Sequence, residues 1–155
     1  PADARQPQGV DLMLDAVKER LETRVSEFAD RIETSVDLTK LLNDRGIPQN
    51  STAFVVPIGL QGRRAPDATG IFMQDYVETI GVLLVARSYD QTGSRALEKL
   101  RPSIQQVMEA LAGWSPGSAF GVFELRQGNV AGISGGALFY MIEFSINDQL
   151  RITVQ

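Results

Sequence analysis

Residues 72–89, FMQDYVETIGVLLVARSY, run long without a breaker, and their reading decides the fold. From Ile80 to Ala86 both alternate faces of an extended chain are apolar, which predicts a strand inside a sheet, covered on both sides along that part. The N-terminal half, with Gln74, Asp75, Glu78 and Thr79, is more polar and is expected to project beyond the core. Just upstream, Gly59 to Gly70 (GLQGRRAPDATG) is rich in turn formers and reads as a long, exposed hairpin loop carrying Arg63, Arg64 and Asp67. Before it, Ala53 to Ile58 reads as a strand; Pro57 puts it at an edge or near its end, because proline cannot donate to a ladder.

Helices flank this sheet in sequence. Leu14, Val17, Leu21, Val25 and Phe28 recur at three- and four-residue spacings, so Val10 to Phe28 predicts an amphipathic helix with one buried stripe. A weakly extended piece, Phe28 to Glu33, separates it from a shorter helix over Val36 to Arg45. That helix has an apolar side of Leu38, Leu41 and Leu42 and is stopped by Gly46 and Pro48. Gly93 to Leu111 is the second major helix, with Leu97, Leu100, Ile104, Val107, Met108 and Leu111 in period; Pro102 predicts a kink or a late start, and Gly113 a left-handed end. The last third reads as a strand from Phe120 to Arg126, a turn at Gln127-Gly128-Asn129, a short strand from Val130 to Ser134, and a long strand from Ala137 to Ile152 with one core face. The order predicts an α+β, two-layer domain: two long helices packed on a mostly antiparallel sheet with a long hairpin loop. Residues 1–9 read as a flexible arm and 10–155 as a single domain, without repeats.

Composition narrows the chemistry. The chain has 155 residues and no His or Cys, which removes Ser-His-Asp and Cys-His nucleophiles, imidazole acid–base work, thiol redox chemistry and Cys/His zinc sites. Carboxylate, lysine, tyrosine and Mg²⁺ or Ca²⁺ chemistry remain open. With 15 basic and 19 acidic residues the net charge is -4, which opposes gripping a phosphate backbone. No apolar run approaches the roughly 20 residues of a membrane span. The opening residues lack a basic start and apolar core, so a secretory signal is not expected.

Individual motifs mostly read as structure. Asp75 and Glu78 fall on opposite faces of one strand, the pattern of a solvated strand end rather than an acid–base pair. Gly132-Ile133-Ser134-Gly135-Gly136 lacks the lysine of a phosphate loop and reads as a bulge or tight turn. Lys18, Lys40 and Lys99 sit among charged neighbours on helices, and Asn50-Ser51-Thr52 reads as loop. Arg87, Arg95, Lys99 and Arg101, offset by Asp90 and Glu98, form a solvated helix face, with an acidic partner surface as the alternative. Arg63 and Arg64 at a long loop tip fit either a passive loop or one that orders against a neighbour. The only Trp, Trp114, stands between Gly113 and a Pro116-Gly117 turn, where its apolar surface can lock the helix end onto the sheet.

The segment Leu111-Ala112-Gly113-Trp114-Ser115-Pro116, closing a long helix and followed by Gly128 in a strand region, resembles the tail terminator proteins of long-tailed bacteriophages. So do the VKERLETRV opening helix, the FVVPIG strand and QDYVETIGVLLVARSYD, and the similarity spans residues 12–152. The resemblance implies a virion structural protein, not an enzyme and without cofactor or metal. It would form a hexameric ring that caps the tail tube, stops its polymerisation and joins it to the neck or head-completion protein. DNA would pass through the lumen without sequence-specific binding, at the head-proximal end of the tail, after assembly in the host cytoplasm. A ring closed by rotation needs two different faces on each subunit. The candidate contacts are Arg63, Arg64, Asp67, Phe72, Gln74, Asp75 and Glu78, joined by the wet face of residues 143–151, with Gly113, Trp114 and Pro116 as a structural corner. Another head–tail joining or tail-completion ring protein is the nearest alternative; a small carboxylate- or Mg²⁺-dependent enzyme and an adaptor module are the others.

Overall fold

The computed structural model describes residues 10–28, 30–35, 38–66, 70–117 and 121–153. The expected arm at 1–9, the helix start at Val36, Asp67 and the strand start at Phe120 lie outside these residues. Five strands form one sheet in the order β1-β2-β3-β5-β4: β1 (Ile32–Thr34), β2 (Thr52–Gly62), β3 (Ile71–Arg87), β4 (Glu124–Ser134) and β5 (Ala137–Thr153). Only β1 runs parallel, alongside Ala53 to Val55 of β2; every other pairing is antiparallel. The expected α+β class with a mostly antiparallel sheet therefore stands.

Beneath the sheet lie α1 (Val10–Arg24) and α3 (Ser94–Leu111). Leu14, Val17 and Leu21 of α1 meet Leu100, Val107 and Leu111 of α3 over Val55, Val82, Leu84, Ile142 and Phe144 of the sheet in one cluster. These strand residues share parity, so one face of the pleat supplies the floor of the core. The opposite face buries Phe54, Val56, Leu83 and Val85 against Leu42 of α2 (Leu38–Arg45) and Ile47. The Ile80 to Ala86 stretch is covered on both sides for this reason. The side chains of Leu38 and Leu41 lie outside the described detail.

Several expectations are corrected. The first helix ends at Arg24 and continues as a single 3-10 turn, Ser26–Phe28, which still buries Val25 and Phe28. α3 starts at Ser94, so Pro102 does not delay it; this exposed proline sits in the helix beside Ser103, whose buried hydroxyl donates to the Glu27 carboxylate. The expected loop at Gly59 is shorter, because Gly59 to Gly62 continue β2 opposite Thr79 to Tyr76. No turn occurs at Gln127-Gly128-Asn129. β4 passes straight through as one strand, with register shifts between Leu125 and Gln127 and between Val130 and Gly132. Gly128 answers to space there: a Cβ would lie 3.1 Å from the Tyr140 hydroxyl. The turn falls instead at Gly135-Gly136, with φ of 61° and 81°, the left-handed pair that a two-residue hairpin requires.

Candidate functional site

β3 and β5 pair without a register shift along their whole length, from Ile71 opposite Thr153 to Arg87 opposite Ala137. Their outer ends, with the end of β2, extend beyond the helical layer as a three-stranded arm; Ile71–Tyr76 alone spans roughly 20 Å at about 3.4 Å per residue. Such an arm has two sides of different character. On the helix-side face, Leu60, Leu150 and Ile152 are 63%, 42% and 49% exposed, and Phe72 sits half-buried opposite Ile152. The other face sets Ile71, 53% exposed, and Met73 among polar contacts: Gln149 Nε2 donates to Asp75 Oδ1 at 3.0 Å, and Arg151 Nε donates to Gln149 Oε1 at 2.6 Å.

A single extra residue in β2 bears on where Leu60 falls. Val56 and Pro57 pair with Gly81 and Ile80, but Gly59 pairs with Thr79, leaving Ile58 as a bulge. The shift places Leu60 opposite Glu78, on the same face as Leu150 and Ile152; without it Leu60 would oppose Val77 and point the other way. Pro57 lies past the end of β1, so its missing N–H costs no ladder bond on that side.

The candidate contact residues separate along the arm. Arg63 and Arg64 are exposed beyond β2; the Arg63 N–H donates to the Asp75 carbonyl at 2.8 Å and its carbonyl accepts Gln74 Nε2 at 2.6 Å. Phe72 and Gln74 belong to the apolar side and Asp75 to the polar side. Glu78 does not behave as a solvated strand end: it is 6% exposed at the root of the arm. Burial, then the nearby Asp148 charge, push its carboxyl above the usual carboxylate range. Beside it the Tyr76 hydroxyl donates to Asp148 Oδ2 at 3.0 Å, and burial together with that bond pushes the phenol up to about 12. Sequence reasoning missed this burial because the strand's polar letters look alike whichever way they face.

A second apolar surface lies on the same side of the sheet at its far edge. Leu125, Val130 and Ile133 of β4 are 45%, 41% and 42% exposed. Next to them Leu97, Arg101, Ile104 and Gln105 of α3 and Tyr140 of β5 line a groove of about 350 Å³. β4 is the outermost of the described strands, and Val130 pairs with Tyr140 of this groove.

The corner after α3 is closed by backbone bonds and ring contacts. Gly113 adopts φ 80° just after α3, and its N–H donates to the Phe123 carbonyl at 2.8 Å, while the Phe123 N–H returns a bond to the Trp114 carbonyl at 2.9 Å. Trp114 stacks on Phe123 with centroids 6.1 Å apart, and Phe123 meets Phe144 edge-on at 6.5 Å. Arg20 covers the Trp114 ring at 5.2 Å while its Nε donates to the Ala110 carbonyl at 2.9 Å, tying α1 to the end of α3 where a cation is favoured. Pro116 lines the cleft beside this pair.

Among the described residues, no group of three or more acidic, His or Cys side chains is placed to hold a metal ion, and no helix is long and apolar enough to cross a membrane. The arm and the surface at β4 offer contact area. Comparison with curated proteins finds no match. A family model described as Phage tail terminator protein matches residues 10–154, and the chain belongs to that family.

Proposed function

We propose that the protein forms a hexameric ring that caps the tail tube, ends its polymerisation and joins the tail to the head-side neck. Family membership already makes it a structural component of the phage tail, hence of the virion, working with other tail components. The observation that supports the ring is the arm, whose apolar face of Leu60, Leu150 and Ile152 is uncovered while its polar face is internally bonded. A heterologous ring contact needs a different receiving surface on the next subunit. The groove between α3 and β5, mixed in lining and flanked by the exposed Leu125, Val130 and Ile133 of β4, is the candidate for it. Arg63 and Arg64, beyond the arm, reach toward the tube or neck, and the net charge of -4 suits a lumen that lets DNA slide.

The test is electron microscopy of particles carrying Leu150→Glu with Ile152→Glu. The reading expects tails of uncontrolled length lacking the head-proximal ring, from a subunit that still folds. Normal tails of normal length, or a wild-type protein never found at the head-proximal end, would overturn it. Arg63→Glu with Arg64→Glu is expected to block tail joining without unfolding, and unchanged particle yield would reject that role.

A further inference from the structure

At the end of β3 away from the arm, Arg87 meets the residues leading into β2 and the first turns of α3 around a cavity of about 210 Å³. Its lining includes Ser51, Arg87, Tyr89, Asp90, Arg95 and Lys99. We propose that this cavity is a receptor for a carboxylate side chain presented by a partner protein.

Two orphaned atoms point to a ligand. Among the described residues, the buried side-chain polar atoms without a hydrogen-bond partner are Ser51 Oγ and Arg87 Nε, and both residues line this one cavity. Ser51 is 4% exposed, and Arg31 Nε donates to its carbonyl at 2.7 Å, so the residue is fixed in place. Arg87 is also anchored, since its Nη2 donates to the Ile47 carbonyl at 3.2 Å, which leaves Nε–H free of that bond. A buried donor without an acceptor is unfavourable, and an oxyanion entering the cavity that both residues line brings acceptors to them.

Charge sets the ligand's sign. Arg87, Arg95 and Lys99 stand against a single acid, Asp90. That acid is already engaged: Asp90 Oδ1 accepts the Gly93 N–H at 2.9 Å and the Ser88 hydroxyl at 3.1 Å, closing the loop ahead of α3. Burial works against its charge, but the bonds from Ser88, Gly93, Thr92 and Arg95 outweigh it and hold the carboxyl below its ordinary range. Asp90 therefore serves the start of the helix and stays ionised, so the lining sets three cations against one anion and its net charge is positive.

A protein carboxylate fits better than a nucleic-acid phosphate. The cations gather around one open cavity instead of forming a row that tracks a backbone, and the chain as a whole is acidic. Tyr89 lines the same cavity and is 93% exposed, the combination of bare aromatic and arginine that anchors protein interfaces. An acidic side chain enters the cavity while its apolar neighbours lie on Tyr89. This site is remote from the arm, so it stands or falls independently of the ring.

The test uses the full chain and peptide probes, acetyl-Leu-Glu-Leu-amide and its Gln counterpart, followed by NMR at the Arg87 Nε–H and the Ser51 amide. The Glu peptide is expected to shift both signals, and the Gln peptide to bind about tenfold more weakly, one charge-assisted bond's worth. Arg95→Gln with Lys99→Gln, both exposed, is expected to abolish the shifts with an unchanged melting temperature. Tyr89→Ser is expected to weaken the peptide but not free citrate. Equal binding of the two peptides, absence of shifts at Arg87 and Ser51, or preferential binding of a short DNA duplex at these residues would overturn the proposal.

Discussion

Replacing Trp114 with Ala separates a structural corner from a partner contact. The ring stacks on Phe123 at 6.1 Å and lies under Arg20 at 5.2 Å, interactions of about 0.5–1.5 and 0.5–1 kcal/mol respectively. Trp114 is half-buried, so truncation also returns roughly 100 Å² of apolar surface to water, about 2.5 kcal/mol at ~25 cal/mol per Å². The total approaches about 4 kcal/mol, within the range for removing a packed aromatic side chain. In a chain of this size that lowers the melting temperature by roughly 8–16 °C. Trp114→Phe keeps the stack and is expected to lose far less.

Urea unfolding followed by circular dichroism measures the loss, and a double cycle with Arg20→Ala isolates the cation–π part at about 0.5–1 kcal/mol. A Trp114→Ala loss below about 1 kcal/mol would contradict the bookkeeping. If tails then failed to join, the indole would be a contact for a partner instead.

Two further predictions concern the root of the arm. Because burial raises the folded-state pKa of Glu78, the unfolded chain ionises first, and the residue's penalty grows as pH rises from the ordinary carboxyl value through the raised one. Glu78→Gln is therefore expected to stabilise the protein at pH 7–8, by about 1.4 kcal/mol for each unit of upward shift, with the gain vanishing toward pH 4; urea titrations across that range measure it, and a gain that grew on acidification would be inconsistent. Deleting Ile58 removes the extra residue and is expected to leave Leu60 opposite Glu78 in an unbroken ladder, so that the arm keeps its register and tails their normal length, as read by amide exchange and by micrographs; a flipped or frayed arm would show that the bulge itself holds the register.

The covered centre of the sheet was legible because Ile80 to Ala86 carry apolar residues at both parities, which few structures other than a doubly covered strand explain. The stripes of α1 and α3 were legible from their spacing, and the Gly113-Trp114 corner from its residue types. The errors arose where pairing overrides local preference. Gly59 and Gly62 look like loop residues but are carried as strand by the ladder to β3, and Gly128 looks like a turn but makes room for Tyr140. The cavity at Arg87 joins residues from three separate segments, so no local pattern could mark Ser51 as its partner.

The arm's energetics bear on how a ring would form. Full burial of a Leu or Ile side chain is worth about 1.5–3 kcal/mol, and Leu60, Leu150 and Ile152 have about half of theirs still to bury. Docking the arm thus yields about 2–4.5 kcal/mol. Holding two subunits together costs an estimated 4–15 kcal/mol of lost translational and rotational freedom, so the arm alone leaves a pair unbound. Two contacts per subunit in a closed ring, or a tube end that gathers subunits at high local concentration, change that balance without any new contact in the pair. The expectation is a monomer in sedimentation at micromolar concentration that becomes a ring on exposed tube ends. A stable ring in the absence of tubes would mean that the groove beside β4 contributes more than its exposed apolar residues suggest.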